Sequence, residues 1–253
     1  MPTFKITIAY DGTEFSGWQA QPNQRTVQGV VELAWQEITG EQVRVTATSR
    51  TDAGVHALGQ VVGVTSETQI STDKLCCGLN AKLPDDVVVN SVEVVANDFH
   101  STRDALGKHY RYRIHNSHRR PLFDRQCVWH IPQRLDVAAM HSAAQALVGK
   151  HDFASFQSAG SERESTVRTI FGIEVARGRG AEPAEVWIEV HGDGFLYNMV
   201  RAIAGSLVAI GVGRKPEAWL AEVLATTDRR AAGQTAPPQG LILLQVDFPD
   251  PCP

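Results

Sequence analysis

Cysteine is scarce in this chain: four residues in 253, at positions 76, 77, 127 and 252. None stands in a C-x-x-C pair, and adjacent Cys76-Cys77 suits neither a disulfide nor a zinc site. They read as reduced thiols, which leads us to expect a cytoplasmic protein. Long apolar runs are also missing. The longest uncharged one, "AIAGSLVAIGVG", lies between Arg201 and Arg214. It falls short of the roughly 20 residues that span a bilayer, so it predicts a buried helix and no membrane partner. Lys5 interrupts "MPTFKITIAY" before any apolar leader core can form. No P-loop, dinucleotide-binding glycine fingerprint, G-x-S-x-G or H-E-x-x-H occurs. The nine histidines show no metal-ligand spacing with cysteines or acids. Neither a metal nor a cofactor is expected.

The length suffices for a substantial core and for two domains. Apolar content of 43% and charged content of 21% are ordinary for a globular chain. The net charge of −4 argues against a polyanionic partner, but its distribution argues the other way. Residues 101–134 carry Lys108 and arginines 103, 111, 113, 119, 120, 125 and 134 against Asp104 and Asp124, a local excess of +6. Local charge, rather than the sum, makes an electrostatic footprint. A solvated basic face and a phosphate-binding surface both fit this stretch.

"FKITIAY" alternates, with Phe4, Ile6, Ile8 and Tyr10 on one face, and reads as a half-buried strand. Val27, Val30, Val31, Ala34, Trp35 and Ile38 form one helical stripe, capped by Thr26 and closed by Gly40. "VRVTAT", "GQVVGVT" and "VVVNSVEVV" read as strands. "KHYRYRI" alternates again, with Tyr110, Tyr112 and Ile114 opposite Arg111 and Arg113; "CVWHI" is a short strand. A helix follows Asp136 and ends at Gly149. "RTIFGIEVA" and "EVWIEVHG" predict a hairpin across "RGRGAEPA". "NMVRAIAGSLVAIG" is a third helix, Pro216 begins a fourth, and "LILLQVDF" is a closing strand. Strands in runs joined by short turns favour antiparallel pairing. The expected fold class is α+β: two related halves, 1–104 and 105–253, with mixed, mostly antiparallel sheets flanked by helices. The boundary falls between 100 and 150.

"SRTDAGVHALGQ", residues 49–60, places Arg50, Asp52 and His56 around an Ala-Gly turn. A turn requires only the glycine. Asp52 before Ala-Gly is consistent with a carboxylate bonding its own backbone. It is equally consistent with a carboxylate delivered to a sheet edge, where Gly54 lets the backbone bend close to a ligand. Arg50 on the same side could hold a phosphate or the aspartate.

Seven segments occur in the order and spacing of one family: "YDGTEFSGWQAQPNQRTVQG", "SRTDAGVHALGQV", "LNAKLPDDVVV", "KHYRYRI", "HDFASF", "GDGFLYNMVRAIAGSL" and "GLILLQV". Along nearly its whole length the chain resembles the TruA family of tRNA pseudouridine synthases. Ser49 departs from the glycine usual there, and leaves Arg50 and Asp52 in place. The resemblance implies the pseudouridine synthase fold and the isomerisation of uridines 38 to 40 in the anticodon arm of tRNA, by a homodimer and without cofactor. It makes Asp52 the catalytic carboxylate, either attacking C1′ or removing the C2′ proton. It makes Arg201 the partner guanidinium of Asp52, Tyr110 the residue meeting the target base, and Leu241 the apolar residue beneath that base. Without the resemblance, Arg201 reads as a snorkelling or capping arginine, and Tyr110 as a sheet tyrosine beside Tyr112. The basic stretch, with Arg119 and Arg120, then grips tRNA phosphates. A non-catalytic RNA-binding module and a hydrolase pairing Asp52 with Asp11 are the alternatives.

Overall fold

The computed structural model describes residues 1–158, 160, 165–178 and 184–249. They form two compact units, one of Met1–Leu106 with the chain from Leu243 on, the other of Gly107–Ile242.

In the first unit, strand β1 (Thr3–Tyr10) pairs antiparallel with both β3 (His56–Thr65) and β4 (Val87–Val95). The expected alternation is present: Phe4, Ile6, Ile8 and Tyr10 are buried while Lys5 and Thr7 are not. Helix α1 (Val27–Thr39) is capped by the Thr26 hydroxyl, which accepts from Gly29 N–H, and closed by Gly40 in the left-handed region. Its Trp35 packs on Phe4 with ring centroids 5.7 Å apart. "VRVTAT" forms only a two-residue strand, β2 (Thr46–Ala47), before the chain leaves the ladder. Helix α2 (Thr72–Lys82), which has no sequence signal strong enough to predict it, buries only Leu75 and Leu79.

In the second unit the strand order is β5 (Gly107–Asn116), β9 (Glu185–Gly192), β8 (Val167–Arg177) and β7 (Gly149–Asp152), all antiparallel. β6 (Trp129–Ile131) lies parallel to the end of β5. The β8–β9 hairpin is as expected, although residues 179–183 of its connection lie outside the described residues. Helix α3 (Val137–Ala144) ends earlier than expected and gives way to a 3-10 turn at Gln145–Leu147. Helix α4 (Met199–Gly211) holds Arg201 in its first turn and then most of the long uncharged run, and it is buried along almost its whole length. Helix α5 (Trp219–Thr226) begins three residues after Pro216; the last strand, β10 (Leu241–Asp247), starts here, and from Leu243 on it belongs to the first unit. Mostly antiparallel sheets flanked by helices are thus the fold. Among the described residues no helix is long and apolar enough to cross a membrane.

Candidate active site

Asp52 stands in the loop between β2 and β3. Val55 N–H donates to the Asp52 carbonyl at 3.1 Å, and Gly54 takes a φ of +76°. That left-handed position needs a residue without Cβ, so the turn itself explains the glycine. Asp52 is half-buried, and Arg50, two residues earlier, is exposed.

The backbone around Asp52 is held from several sides. Gln60, fully buried on β3, donates from Nε2 to the Ser49 carbonyl at 2.6 Å and accepts from Ser49 N–H at 3.3 Å. Tyr10 and Thr51 share a buried hydroxyl–hydroxyl hydrogen bond of 2.7 Å. Trp18 N–H donates to the Thr51 carbonyl at 2.9 Å. A Cβ on Gly17 would stand 2.9 Å from the Thr51 carbonyl oxygen and 3.2 Å from the Asp52 carbonyl carbon. A Cβ on Gly12 would stand 2.0 Å from the Val55 carbonyl oxygen. "YDGTEFSGW" therefore lies in direct backbone contact with the Asp52 turn. Gln60, Gly12, Gly17 and Tyr10 lie in segments that carry the family resemblance, but by residue type alone each reads there as an ordinary core or turn residue.

His56, buried at the start of β3, faces Asp11. Its Nδ1 lies 3.1 Å from Asp11 Oδ1 and also 3.1 Å from the Gly12 N–H. One ring nitrogen can accept from Gly12 or donate to Asp11, not both, so the imidazole ties the "YDG" turn to the Asp52 loop in either protonation state. Burial pushes the Asp11 carboxyl up, but the Thr13 hydroxyl and amide and neighbouring His56 outweigh that and hold it below its ordinary value. Asp11 is thus committed to Thr13 and His56, which disfavours it as the second carboxylate of a hydrolase.

The second unit carries the other expected residues. Tyr110 on β5 is buried and meets Phe195 edge-on, with centroids 5.2 Å apart. Tyr112 lies deeper, its hydroxyl donating to the Pro237 carbonyl at 2.7 Å, and burial pushes that hydroxyl's pKa far upward. Arg201, in the first turn of α4, donates from Nε to the Ala236 carbonyl at 2.8 Å and from Nη1 to Asn198 Oδ1 at 2.7 Å. Its own carbonyl accepts from Ala236 N–H at 3.1 Å. Asn198 holds a φ of +61°, an uncommon value for a residue other than glycine, and also donates to Ser158 Oγ at 3.1 Å. This asparagine shapes the Arg201 guanidinium, and its signal in the sequence is only its place three residues ahead. Leu241 is buried at the start of β10.

The basic stretch is less available than its composition implies. Arg111 Nε donates to Glu189 at 2.7 Å, and Arg113 Nε to Glu185 at 2.7 Å, both across the β5–β9 ladder. Arg103 is paired with adjacent Asp104. Arg119 and Arg120 lie exposed on the β5–β6 connection and make no side-chain hydrogen bond or ion pair among the described residues.

Comparison with known proteins gives these features a family. The family model described as tRNA pseudouridine synthase matches residues 6–102 and 143–249. The chain belongs to this family. The matched segments include Arg50, Asp52, Arg201 and Leu241, whereas Tyr110, Arg119 and Arg120 fall between them. A Ruminiclostridium cellulolyticum protein named tRNA pseudouridine synthase A is 45% identical over 248 residues, 98% of this chain and 100% of that one. A Brevibacillus brevis protein of the same name is 46% identical over 248 residues, again 98% and 100% of the two chains. Among solved structures, a Cbf5-Nop10-Gar1 complex chain matches 94% of this chain and 57% of its own, with 14% identity and a TM-score of 0.37.

Proposed function

We propose that this chain isomerises uridine to pseudouridine in tRNA, at positions 38, 39 and 40 of the anticodon arm. The observation that carries the reading is family membership over nearly the full length, with relatives named for this activity matched end to end. The Asp52 turn supports it. The chemistry breaks the N1–C1′ bond, turns the base and joins C5 to C1′. No atom is gained or lost, so neither metal nor cofactor is required.

In this proposal Asp52 is the nucleophile or base, and the bonds to Ser49, Thr51 and Val55 fix its backbone before substrate arrives. Arg201, Tyr110 and Leu241 keep the roles that the resemblance assigns, Arg50 joins the catalytic group by holding a phosphate or the Asp52 carboxylate, and the loop arginines contact phosphate. The uridine must leave its stack, because C1′ and C5 are hidden in a helix. A homodimer acting in the cytoplasm is part of the same reading.

The test is incubation with unmodified tRNA and mapping of pseudouridine by position. Wild type is expected to modify 38–40. Asp52→Asn keeps the volume but loses the charge, and is expected to bind tRNA and form no detectable pseudouridine. Turnover by that variant removes Asp52 from the mechanism. Release of free uracil by wild type favours the hydrolase reading, and binding without any change favours the non-catalytic one.

A further inference from the structure

The connection between β5 and β6 presents a feature that phosphate binding does not explain. β6 runs parallel to β5, with Ile114 opposite Trp129 and Asn116 opposite Ile131. Parallel neighbours cannot be joined by a tight hairpin, so residues 117–128 must leave the sheet and return as an arch. The feet of the arch are tied down. The His130 ring bonds the Ser117 carbonyl at 2.8 Å, the His115 ring bonds the Arg119 carbonyl at 3.0 Å, and Asn116 Nδ2 donates to the Ile131 and Gln133 carbonyls. The crown is shaped by Arg125 Nη1 donating to the Leu122 carbonyl at 2.8 Å and by Cys127 N–H donating to the Asp124 carbonyl at 2.8 Å.

At that crown Phe123 is 91% exposed and Leu122 is 69% exposed. No other large apolar residue among the described ones is as exposed as Phe123. A phenyl ring left in water forgoes the stabilisation that its burial would contribute. Arg119 and Arg120 precede it, Arg125 follows it, and Asp124 is the single acid of the arch. Arginines around a projecting aromatic ring suit one ligand chemistry above others. The cations meet phosphates, and the ring offers a stacking face to a base that is not already stacked.

We propose that the 117–128 arch is a stacking platform for an unpaired base of the RNA, with Phe123 as the ring and the flanking arginines as phosphate contacts. The assignment rests on the tRNA reading above. It adds a sequence-tolerant grip on single-stranded nucleotides, such as those of a loop. A second copy of this chain could also cover an apolar crown. The arginines disfavour it, because two copies of the same arch would bring like charges together.

The experiment compares wild type with Phe123→Ala and Phe123→Tyr for binding of unmodified tRNA across a range of salt, alongside sedimentation of the free proteins. Phe123 touches no core, so folding is expected to be unchanged. Phe123→Ala is expected to weaken binding about 5- to 150-fold, the equivalent of the roughly 1–3 kcal/mol of one stacked base. The log–log salt slope should not move, since no ion is displaced by a ring. Phe123→Tyr should retain wild-type affinity. Equal affinity of the alanine variant and wild type overturns the platform. So does a loss of affinity accompanied by dissociation of an oligomer, which reassigns the arch to contact between copies. A wild type that binds no tRNA sinks both proposals. A wild type that makes no pseudouridine, yet binds tRNA more tightly than Phe123→Ala, sinks the catalytic reading and leaves the platform standing.

Discussion

Gln60 shows how a single side chain can matter without touching substrate. Its carboxamide satisfies both the N–H and the carbonyl of Ser49, three residues before Asp52. Gln60→Leu keeps the shape and removes the two hydrogen bonds by which the carboxamide holds the Ser49 backbone. Each lost hydrogen bond is a contribution of about 0.5–1.5 kcal/mol. A misplacement of about 1 Å can lower a rate by about 10²-fold. The expected outcome is a single-turnover rate reduced by roughly 10- to 100-fold, with tRNA affinity nearly unchanged because Gln60 is fully buried. An unchanged rate alongside reduced stability would make Gln60 a structural residue only. Nothing in "HALGQVV" announces this role, since a glutamine on an alternating strand looks the same whether it faces water or clamps a loop. Asp52 is legible as a candidate through the family motif; its physical context alone leaves it balanced against an ordinary turn aspartate. Arg111 and Arg113 mislead by composition because their partners, Glu189 and Glu185, lie more than 70 residues away.

Among the elements, legibility follows periodicity and length. β1, α1 and α4 carry clean repeats of apolar residues, and each forms where the pattern places it. α2 has two buried residues in eleven, and β7 is the four-residue polar segment "GKHD", so neither offers a period to read. Approaches between element backbones leave no trace in the sequence, because what a glycine lies against is decided by tertiary packing between distant segments. On α4, Cβ of a residue at position 205 would sit 1.8 Å from the Gln234 carbonyl oxygen; one turn earlier Arg201 bonds Ala236. Gly12 plays the equivalent part in the first unit, against Val55. Gly12→Ala should force the "YDG" turn away from the Asp52 loop. Overpacking typically costs about 1–3 kcal/mol, which at this chain length lowers the melting temperature by roughly 2–12 °C. Activity should fall further than stability explains, because the displaced oxygen belongs to the turn that carries Asp52, the carboxylate to which the proposal assigns the chemistry. Gly172→Ala on β8 is the control, with open space around the added methyl and no positive φ. Thermal unfolding of both variants checks the contrast. Equal melting temperatures for Gly12→Ala and wild type would mean that the turn yields without strain.

For the whole molecule the question is how a chain of net charge −4 holds a polyanion. The ladder pairs neutralise Arg111 and Arg113, and this shifts the weight of the basic stretch onto the exposed arch, where Arg119 and Arg120 carry no ionic partner among the described residues. If these two arginines meet phosphates, each neutralised phosphate releases condensed counterions and steepens the dependence of binding on salt. Arg119→Ala with Arg120→Ala should therefore weaken tRNA binding at low salt and make the log–log slope shallower by about 0.7–0.9 for each phosphate that is no longer neutralised. The two curves should converge as salt rises, since the missing attraction is the screened one. This distinguishes the arginines from Phe123, whose removal lowers affinity by the same factor at every salt concentration. The single-turnover rate at saturating tRNA should hold, because the chemistry is assigned to Asp52 and neither arginine is placed at the base. A double variant with normal affinity at every salt concentration would make this a solvated basic face and move the tRNA footprint elsewhere on the protein. A reduced rate at normal affinity would instead bring the arch to the target uridine, and the separation of grip from chemistry would fail.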